Sequence, residues 1–261
     1  MTWWQVKRRA PGWPRRRVLF WWTIVAGAIR LVGRLLYGAR MRGTERIPRT
    51  GPVLYVANHQ SHLDPPLVGS FLSDRPFAAL ARHTLFDGRI MGWMLRSIGV
   101  IPLDQESAGD VASMRTALRE LQAGRTIIIF PEGSRSLDGA LHPFQRGVWL
   151  LLKRADATVL PIAIDGVWDV FPPGASRPKL RGRIAAAIGT PVASRDLVAL
   201  GPDGALERLR REIETMRMEL RHEIRTRTGG RRPKPGAGDT PYWEREAEAP
   251  APDAHPLDVA E

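Results

Sequence analysis

Residues 58–64, directly after the apolar run 53–57, hold the side chains best suited to catalysis. In this stretch His59 precedes Asp64 by five positions. A histidine base with an orienting carboxylate, placed where a buried strand ends, can remove the proton of a hydroxyl group. The stretch therefore indicates general-base chemistry on an alcohol.

The same residues have two other interpretations. Ser61 and Asp64 fit a helix capping box, in which Ser61 is the N-cap and Asp64 is the third helical residue. From spacing alone, helix capping and catalysis are equally compatible with the sequence. A metal site formed by His59, His62 and Asp64 is disfavoured, because paired histidine ligands on a helix favour a four-residue spacing and here it is three.

A second polar cluster, residues 130–136, follows another apolar run and contains Glu132, Gly133 and Arg135. The carboxyl ends of strands are where ligands bind in open α/β sheets. Gly133 allows the backbone to approach a ligand closely, and the planar guanidinium of Arg135 suits a phosphate group. The alternative is an ordinary turn with a solvated arginine. The chain contains neither a P-loop nor the G-x-S-x-G motif of serine hydrolases.

The composition restricts both the chemistry and the partners. The chain of 261 residues has no cysteine, which excludes disulfides, cysteine-bound zinc and a thiol nucleophile. Its net charge is +12, and residues 1–46 contribute +10 of it, with eleven Lys and Arg against Glu45. Such a concentration of charge is typical of proteins that contact nucleic acid or an anionic membrane. The aromatic residues interspersed with these arginines favour the lipid interface.

The N-terminal segment is uncharged only over residues 18–29, and Arg30 and Arg34 interrupt any extension. A helix needs about 20 apolar residues to span a bilayer. We therefore predict a helix over residues 16–38 that lies in or dips into the cytoplasmic leaflet. A soluble helix packed on the core and a spanning helix whose arginines reach the headgroups are the alternatives. No small-residue cleavage site of a signal peptide follows the apolar run.

Short apolar runs alternate with helical patterns along the middle of the chain. Strands are predicted at 53–57, 77–81, 98–103, 126–130, 158–164 and 184–188, and helices at 110–123, 144–155 and 203–227. This alternation predicts a single α/β domain with a mostly parallel sheet flanked by helices. Residues 229–261 are poor in aliphatic side chains, which predicts a disordered tail. The predicted organisation is a basic, Trp-rich membrane-associating segment at 1–42 with an amphipathic helix, a folded domain at 43–228 and the tail.

The two polar clusters also match a specific pair of motifs. N-H-x-S-x-x-D at residues 58–64, followed about seventy residues later by F-P-E-G-[ST]-R-S, resembles the glycerophospholipid acyltransferase family. This family contains the bacterial 1-acylglycerol-3-phosphate acyltransferases (PlsC-like proteins), and the resemblance covers roughly residues 40–195. Residues 159–164 look like the family's fourth motif, and residues 144–147 look like the stretch that follows its third.

The resemblance implies a site and a mechanism. His59 would be the general base and Asp64 the carboxylate that orients it, so that the acceptor oxygen attacks the thioester of acyl-CoA or acyl-ACP directly. Neither a covalent acyl-enzyme, a cofactor nor a metal is implied. Arg135 would bind the acceptor phosphate, and Glu132 and Gly133 would shape that site.

Two positions depart from the family pattern. Gln105 stands where an arginine is expected after the second motif, which removes a positive charge from the implied acceptor site. Arg82 stands in place of a lysine upstream, and a guanidinium also binds phosphate. The Gln105 difference favours, as an alternative acceptor, a lysophospholipid or lyso-ornithine lipid that needs less positive charge than a phosphomonoester.

The resemblance therefore implies an O-acyltransferase of lipid metabolism that makes phosphatidate from 1-acylglycerol 3-phosphate, with residues 43–228 as its acyltransferase domain. Its partners would be the lysophospholipid acceptor, the acyl-CoA or acyl carrier protein donor and an anionic membrane surface, but not nucleic acid. It would lie on the cytoplasmic face of the cell membrane as a peripheral or monotopic protein. A non-enzymatic basic protein that binds membranes or nucleic acid is the remaining alternative, and it leaves both motifs unexplained.

Overall fold

A computed structural model describes residues 16–72, 75, 77–97, 100–103 and 109–248. The strands in these residues are β1 (Arg40–Arg42), β2 (Val53–Ala57), β3 (Ala78–Arg82), β4 (Ile101–Leu103), β5 (Thr126–Ile129), β6 (Thr158–Asp165), β7 (Ala185–Ile188) and β8 (Val192–Ala193). They form one mixed sheet in the order β1-β7-β6-β2-β5-β3-β4, and β8 pairs with β6.

The α-helices of the described residues flank this sheet. They are α1 (Arg16–Tyr37), α2 (Asp64–Phe71), α3 (Arg89–Ser97), α4 (Gly109–Gln122), α5 (Gly147–Arg154), α6 (Val167–Val170), α7 (Ser194–Val198), α8 (Gly201–Thr228) and α9 (Tyr242–Glu248). The predicted helices at 110–123, 144–155 and 203–227 correspond to α4, α5 and α8. The predicted strand at 98–103 is present from Ile101, and residues 98–99 lie outside the described part of the chain.

Strand β2 lies at the centre of the sheet, and all five of its residues are buried. It pairs in parallel with β5 on one side, where Val56 faces Ile129, and with β6 on the other, where Ala57 faces Ile162. Because the three strands run in the same direction, their carboxyl ends meet at one edge. The polar residues that follow β2 and β5 are therefore brought to the same place.

The sheet is less uniformly parallel than the alternating pattern predicts. β7 and β8 run antiparallel to β6, whereas the other described pairings are parallel. A parallel connection needs a crossover that carries the chain back to the opposite edge. The segment between β6 and β7 contains only the four-residue α6, so β7 begins at the edge where β6 ends.

Alternate side chains of each central strand point to opposite faces of the sheet and enter two separate clusters. Leu54 and Val56 of β2 pack in one cluster with residues of α4, α5 and α8. Val53, Tyr55 and Ala57 pack in the other with residues of α1 and α2. Helices thus cover both faces, which explains why β2 is apolar at every position.

Helix α1 packs one face on the domain and leaves the other exposed. Trp22 is 5% exposed and meets Phe77 edge-on, with 5.3 Å between ring centroids. The opposite side presents exposed apolar side chains, which are Phe20, Ile24, Leu31, Val32, Leu35 and Leu36. Among the residues that the structure describes, no helix is both long enough and apolar enough to cross a membrane.

The prediction of a disordered tail from residue 229 is wrong for residues 229–248. This segment contains the short 3₁₀ helix Ala237–Asp239 and α9, and Tyr242 is 2% exposed. Arg217 and Arg221 of α8 bond to Gly238 and Asp239 of the segment. The disordered tail was predicted because the segment has few aliphatic side chains to bury. The segment packs on the domain through the buried Tyr242 and through hydrogen bonds and ion pairs with arginines of α8. Residues 249–261 lie outside the described part of the chain.

Candidate active site

The loop that carries His59 begins where β2 ends, and its first residue, Asn58, is hydrogen-bonded to β6. Asn58 is buried, and its side-chain amide donates to the carbonyl of Ile164 at 2.9 Å. The Ile164 N–H donates in return to Asn58 Oδ1 at 2.7 Å. The asparagine thus continues the strand pairing beyond the last residue of β2 and sets the direction in which the loop leaves the sheet.

His59 and Asp64 form the pair expected from their spacing. His59 Nδ1 lies 2.8 Å from Asp64 Oδ2, and the imidazole stacks on the Phe130 ring with 4.2 Å between centroids. The carboxylate is fully buried, whereas the His59 side chain is 18% exposed. Because a carboxylate oxygen only accepts, Nδ1 carries the proton and Nε2 is left with its lone pair. This arrangement suits a general base.

Asp64 also organises the loop that precedes it. Its Oδ2 accepts the backbone N–H groups of Gln60 at 2.6 Å and Ser61 at 2.7 Å. The predicted capping box places Asp64 at the third helical position, and this is wrong, because Asp64 is the first residue of α2. The side-chain bond that a capping box requires is nevertheless present, since Asp64 accepts the Ser61 N–H. Pro65 and Pro66 follow and have no N–H groups. The Asp64 carboxylate therefore has no amide of these two residues to accept, and its hydrogen bonds go to the His59 loop.

Glu132 joins the two polar clusters from a buried position. Its Oε1 accepts the His59 N–H at 2.7 Å, and its Oε2 accepts the His142 N–H at 3.0 Å. Burial raises the pKa of Glu132 to about 8, although the two backbone hydrogen bonds lower it. A buried carboxyl used in this way holds the loops and does not attract a phosphate, so Glu132 contributes to the shape of the site.

Arg135 lies in the loop that is bonded directly to His59. The Ser136 N–H donates to the His59 carbonyl at 2.7 Å, one residue after Arg135. Gly133 has a φ of 76°, which favours glycine, and an added Cβ would lie 3.3 Å from Gln145 Cγ. The Arg135 side chain is half-buried, and no hydrogen bond or ion pair joins it to another described residue. Its guanidinium is therefore available to a ligand.

Comparison with known proteins shows which proteins this fold is similar to. The family model described as Acyltransferase matches residues 38–165, which hold β1 to β6 and both polar clusters. In the crystal structure of the 1-acyl-sn-glycerophosphate acyltransferase from Thermotoga maritima, a chain of 26% identity superposes with a TM-score of 0.65, covering 76% of this chain and 78% of that one. Residues 38–165, about half of the chain, therefore match the acyltransferase family.

Curated relatives are 28–31% identical to the chain over the residues that align. The chloroplastic 1-acyl-sn-glycerol-3-phosphate acyltransferase of Arabidopsis thaliana is 30% identical over 159 residues, which are 60% of this chain and 44% of the relative. The alpha enzyme of that name from Mus musculus is 28% identical over 196 residues, 73% of this chain and 68% of the relative. The chain thus spans less than half the length of the plant relative.

Of two residues named by the family resemblance, Arg82 is only partly described and Gln105 is not described. Arg82 is the last residue of β3, paired with Leu103 of β4, so its backbone lies at the carboxyl edge of the sheet. Nothing is described of its side chain. Gln105 lies outside the described residues. The candidate acyltransferase site is therefore built from the loops after β2 and β5.

Sequence reasoning missed the group that supports Gln60, the residue after His59. Gln60 Nε2 donates to the Gly139 carbonyl at 3.0 Å and lies 3.3 Å from Asp165 Oδ1. Asp165 is fully buried at the end of β6, and burial raises its pKa, while the charges of Arg221 and Arg217 lower it. The His59 loop is thereby connected to helix α8.

A signal for this group is present in the sequence of α8. Glu214, Arg217 and Arg221 follow one another at spacings of three and four residues, in phase with Ile213 and other apolar residues of the buried stripe. Charged residues at core positions of an amphipathic helix require a buried partner. Arg217 and Arg221 pair with Asp165, the single acidic residue that ends the apolar run of β6, and Glu214 pairs with Arg217.

A second histidine–carboxylate pair lies in the loop after Arg135. His142 Nε2 lies 3.0 Å from Asp138 Oδ1, and both side chains are about 40% exposed. Although burial raises the pKa of Asp138, hydrogen bonds from the Ala140 N–H, the Ser136 hydroxyl and His142 hold it below its ordinary value. This pair closes the turn of the loop, and the His142 backbone is bound by Glu132.

Proposed function

We propose that this protein transfers a fatty acyl group from acyl-CoA or acyl-ACP to the free hydroxyl of 1-acylglycerol 3-phosphate, giving phosphatidate. The observation that carries the proposal is the 2.8 Å contact between His59 Nδ1 and the buried Asp64 carboxylate. It leaves Nε2 as the acceptor, beside the loop that carries Arg135. The names of the curated relatives and of the solved structure support this acceptor.

The reaction proceeds without a covalent acyl-enzyme. His59 Nε2 takes the proton of the acceptor hydroxyl while the oxygen attacks the thioester carbonyl. The tetrahedral intermediate expels the thiolate, which takes the proton from the imidazolium, so the products are an ester and a free thiol. Asp64 stabilises the charged imidazolium. General-base catalysis contributes about 10²–10⁴-fold to such a rate, and positioning of the two substrates supplies more.

Arg135 supplies the positive charge that the acceptor phosphate requires. Its guanidinium is free of described protein partners, and Gly133 allows the backbone of the same loop to approach the ligand. Arg82 lies at the same edge by its backbone position and is the second cation that we assign to the acceptor phosphate.

A second acceptor is favoured by one feature of the sequence. Gln105 carries no charge where the family motif has an arginine. A lysophospholipid with a phosphodiester headgroup, or a lyso-ornithine lipid, needs fewer cations than a phosphomonoester. The same His59 chemistry applies to either acceptor.

We also propose that the protein works as a peripheral or monotopic protein on the cytoplasmic face of the membrane. Both the acceptor and the product are lipids. The outer face of α1 exposes Leu31 and Leu35, which are 59% and 74% exposed. Arg34 is exposed on the same helix, and a cation near an anionic bilayer contributes about 1 kcal/mol. The apolar face enters the interface and Arg34 contacts the headgroups.

The proposal is tested by a matrix of acceptors and donors assayed with purified protein. We expect turnover of 1-acylglycerol 3-phosphate with at least one thioester donor, and a loss of about 10²–10⁴-fold in kcat for His59→Ala. His62→Ala is the matched control, since His62 is exposed in the same loop and lies against Phe171. Wild-type turnover in His59→Ala contradicts the mechanism. A strong preference for another lysolipid over 1-acylglycerol 3-phosphate would show that this lysolipid is the acceptor.

A further inference from the structure

Two loops at the carboxyl edge of the sheet carry positive charge without any acidic residue. Residues 171–183 contain four Lys and Arg, and residues 229–236 contain three. The loops touch each other, since Arg232 donates to the Arg181 carbonyl at 3.4 Å. We define the cationic rim as the exposed basic side chains of these loops, which are Arg177, Lys179, Arg181, Arg183, Arg231 and Lys234.

The side chains of the cationic rim form no ion pairs with the described carboxylates. On α8, by contrast, Arg210, Arg217 and Arg227 each pair with a glutamate. Where rim side chains are bonded, the acceptors are backbone carbonyls, as when Lys179 Nζ donates to the Asp169 carbonyl at 2.9 Å. The rim is therefore a surface suited to an anionic partner.

The rim borders both the candidate active site and helix α1. The Ser61 hydroxyl, two residues after His59, donates to the carbonyl of Phe171 at 2.7 Å, where the first loop begins. Farther along the loop, the Tyr37 hydroxyl at the end of α1 donates to the Lys179 carbonyl at 3.0 Å. The Arg183 side chain lies against Gly38, the next residue after Tyr37. The rim thus lies between the His59 loop and the C-terminal end of α1.

The rim also contains an apolar side chain that favours a lipid surface over an acidic protein. Leu180 is 75% exposed between Lys179 and Arg181. An exposed leucine flanked by cations suits a bilayer interface, where the cations bind headgroups and the leucine enters the acyl boundary. Because the C-terminal end of α1 adjoins the rim, a lipid surface that meets the exposed face of α1 can also contact the rim.

We propose that the cationic rim is a second membrane contact, separate from α1, that binds an anionic phospholipid surface and holds the carboxyl edge of the sheet against it. If the rim also brings the lipid acceptor to His59, that effect rests on the proposed function. Binding of the rim to lipid does not, because it depends only on the charges and on Leu180.

Vesicle binding by the full chain tests the proposal. We use vesicles of phosphatidylcholine alone or mixed with phosphatidylglycerol, and the triple variant Arg177→Gln, Lys179→Gln, Arg181→Gln. Each cation near an anionic surface contributes about fivefold to binding, so we expect partition to the mixed vesicles to fall on the order of 100-fold, with a weaker dependence on salt. Leu180→Gln should weaken binding to both kinds of vesicle.

A control of equal charge comes from the opposite edge of the sheet. Lys153 and Arg154 end α5, and Arg195 lies in α7 after β8, so Lys153→Gln, Arg154→Gln, Arg195→Gln removes the same three charges there. We expect this control to bind the mixed vesicles nearly as tightly as the wild type. Equal weakening in both variants overturns the proposal, because net charge then explains the effect. Thermal unfolding checks that both variants are folded.

Two further outcomes distinguish lipid binding by the rim from protein docking and from catalysis. If the rim variant keeps vesicle binding but loses binding to acidic acyl carrier protein, the surface docks a protein and the proposal is overturned. Turnover of a short-chain, water-dispersed acceptor should be the same in the rim variant and the wild type. If the wild type turns over no acceptor at all, the proposed function fails, while the vesicle result still decides the role of the rim.

Discussion

At the scale of single residues, Asp64 has two separable tasks. One oxygen of its carboxylate accepts the His59 imidazole N–H and also the backbone N–H groups of Gln60 and Ser61. In the proposed mechanism the first bond orients the base and stabilises its charged form. The other two hold the loop. We therefore expect a substitution at Asp64 to affect both turnover and folding, and a substitution at His59 to affect mainly turnover.

This difference gives a first prediction. Asp64→Asn should lower kcat and also lower the free energy of unfolding by about 1–3 kcal/mol, because a neutral amide oxygen accepts the three N–H groups more weakly than the charged carboxylate oxygen does. His59→Ala should abolish most turnover and leave the loop bonds of Asp64 in place. Urea unfolding and steady-state kinetics of both variants are the measurements. An equal loss of stability in the two variants would contradict the separate role of Asp64.

Glu132 gives a second prediction, which concerns pH. Burial raises the pKa of Glu132 to about 8 from an ordinary 4.5. The folded protein therefore keeps this proton over a pH range in which the unfolded chain has lost it. Stability from this group is complete below the ordinary pKa and is lost as the pH rises through the raised one.

Glu132→Gln isolates that contribution, because glutamine cannot ionise. Between about pH 5 and pH 8, the free energy of unfolding of the wild type should fall more steeply with pH than that of the variant, by about 1.4 kcal/mol per pH unit at most. Urea unfolding at a series of pH values measures the two slopes. Parallel slopes would show that Glu132 ionises near its ordinary pKa.

At the scale of elements, the C-terminal segment behaves as part of the domain. Arg245 of α9 donates to the Leu141 carbonyl at 2.7 Å, in the loop that follows Arg135. The Tyr242 N–H donates to Glu214, and the Arg210 guanidinium lies 3.7 Å from the centroid of the Tyr242 ring. This segment therefore supports the candidate active site from behind, through α8 and through the loop of the second polar cluster.

A third prediction compares two truncations. Removal of residues 229–261 should lower the free energy of unfolding by about 3–5 kcal/mol, since it exposes the site of Tyr242 and removes partners of buried arginines. Removal of residues 249–261 alone should change it by less than about 0.5 kcal/mol. Chemical denaturation of both variants is the measurement. If both truncations leave stability unchanged, the segment does not support the domain.

Most elements were predictable from the chain, and the exceptions have a common cause. The run 53–57 and helix α8 have apolar patterns that are complete within one element, so their type and bounds follow from local sequence. The direction of β7 and the packing of residues 229–248 depend on partners elsewhere in the chain. The His59–Asp64 pair was predictable because the two residues are only five positions apart in the sequence.

At the scale of the whole molecule, charge and apolar surface are distributed unevenly. Residues 1–46 account for most of the net charge, and the cationic rim adds a second basic region beside the end of α1. The inner face of α1 belongs to the core through Trp22, whereas its outer face is exposed. We therefore expect the inner face to stabilise the fold and the outer face to make the proposed membrane contact, and substitutions on the two faces can separate these roles.

A fourth prediction uses this division. Leu31→Gln with Leu35→Gln should weaken binding to phospholipid vesicles and leave thermal unfolding unchanged, because both side chains are exposed. Trp22→Ala should lower the free energy of unfolding by about 3–5 kcal/mol, because it leaves a cavity against Phe77. Vesicle sedimentation and thermal denaturation distinguish the two effects. Destabilisation by the leucine pair would place that face in the core.

The sequence by itself determined the residues of the two motifs, most strands and helices, and the concentration of charge near the N-terminus. Each of these features depends on residues that are close together along the chain. Only the tertiary structure decided that Gln60 rests on Asp165, that Arg217 and Arg221 neutralise it, and that residues 229–248 pack on the domain. Those contacts join residues tens of positions apart, and they exist only once the order of the strands brings β6 and α8 beside the His59 loop.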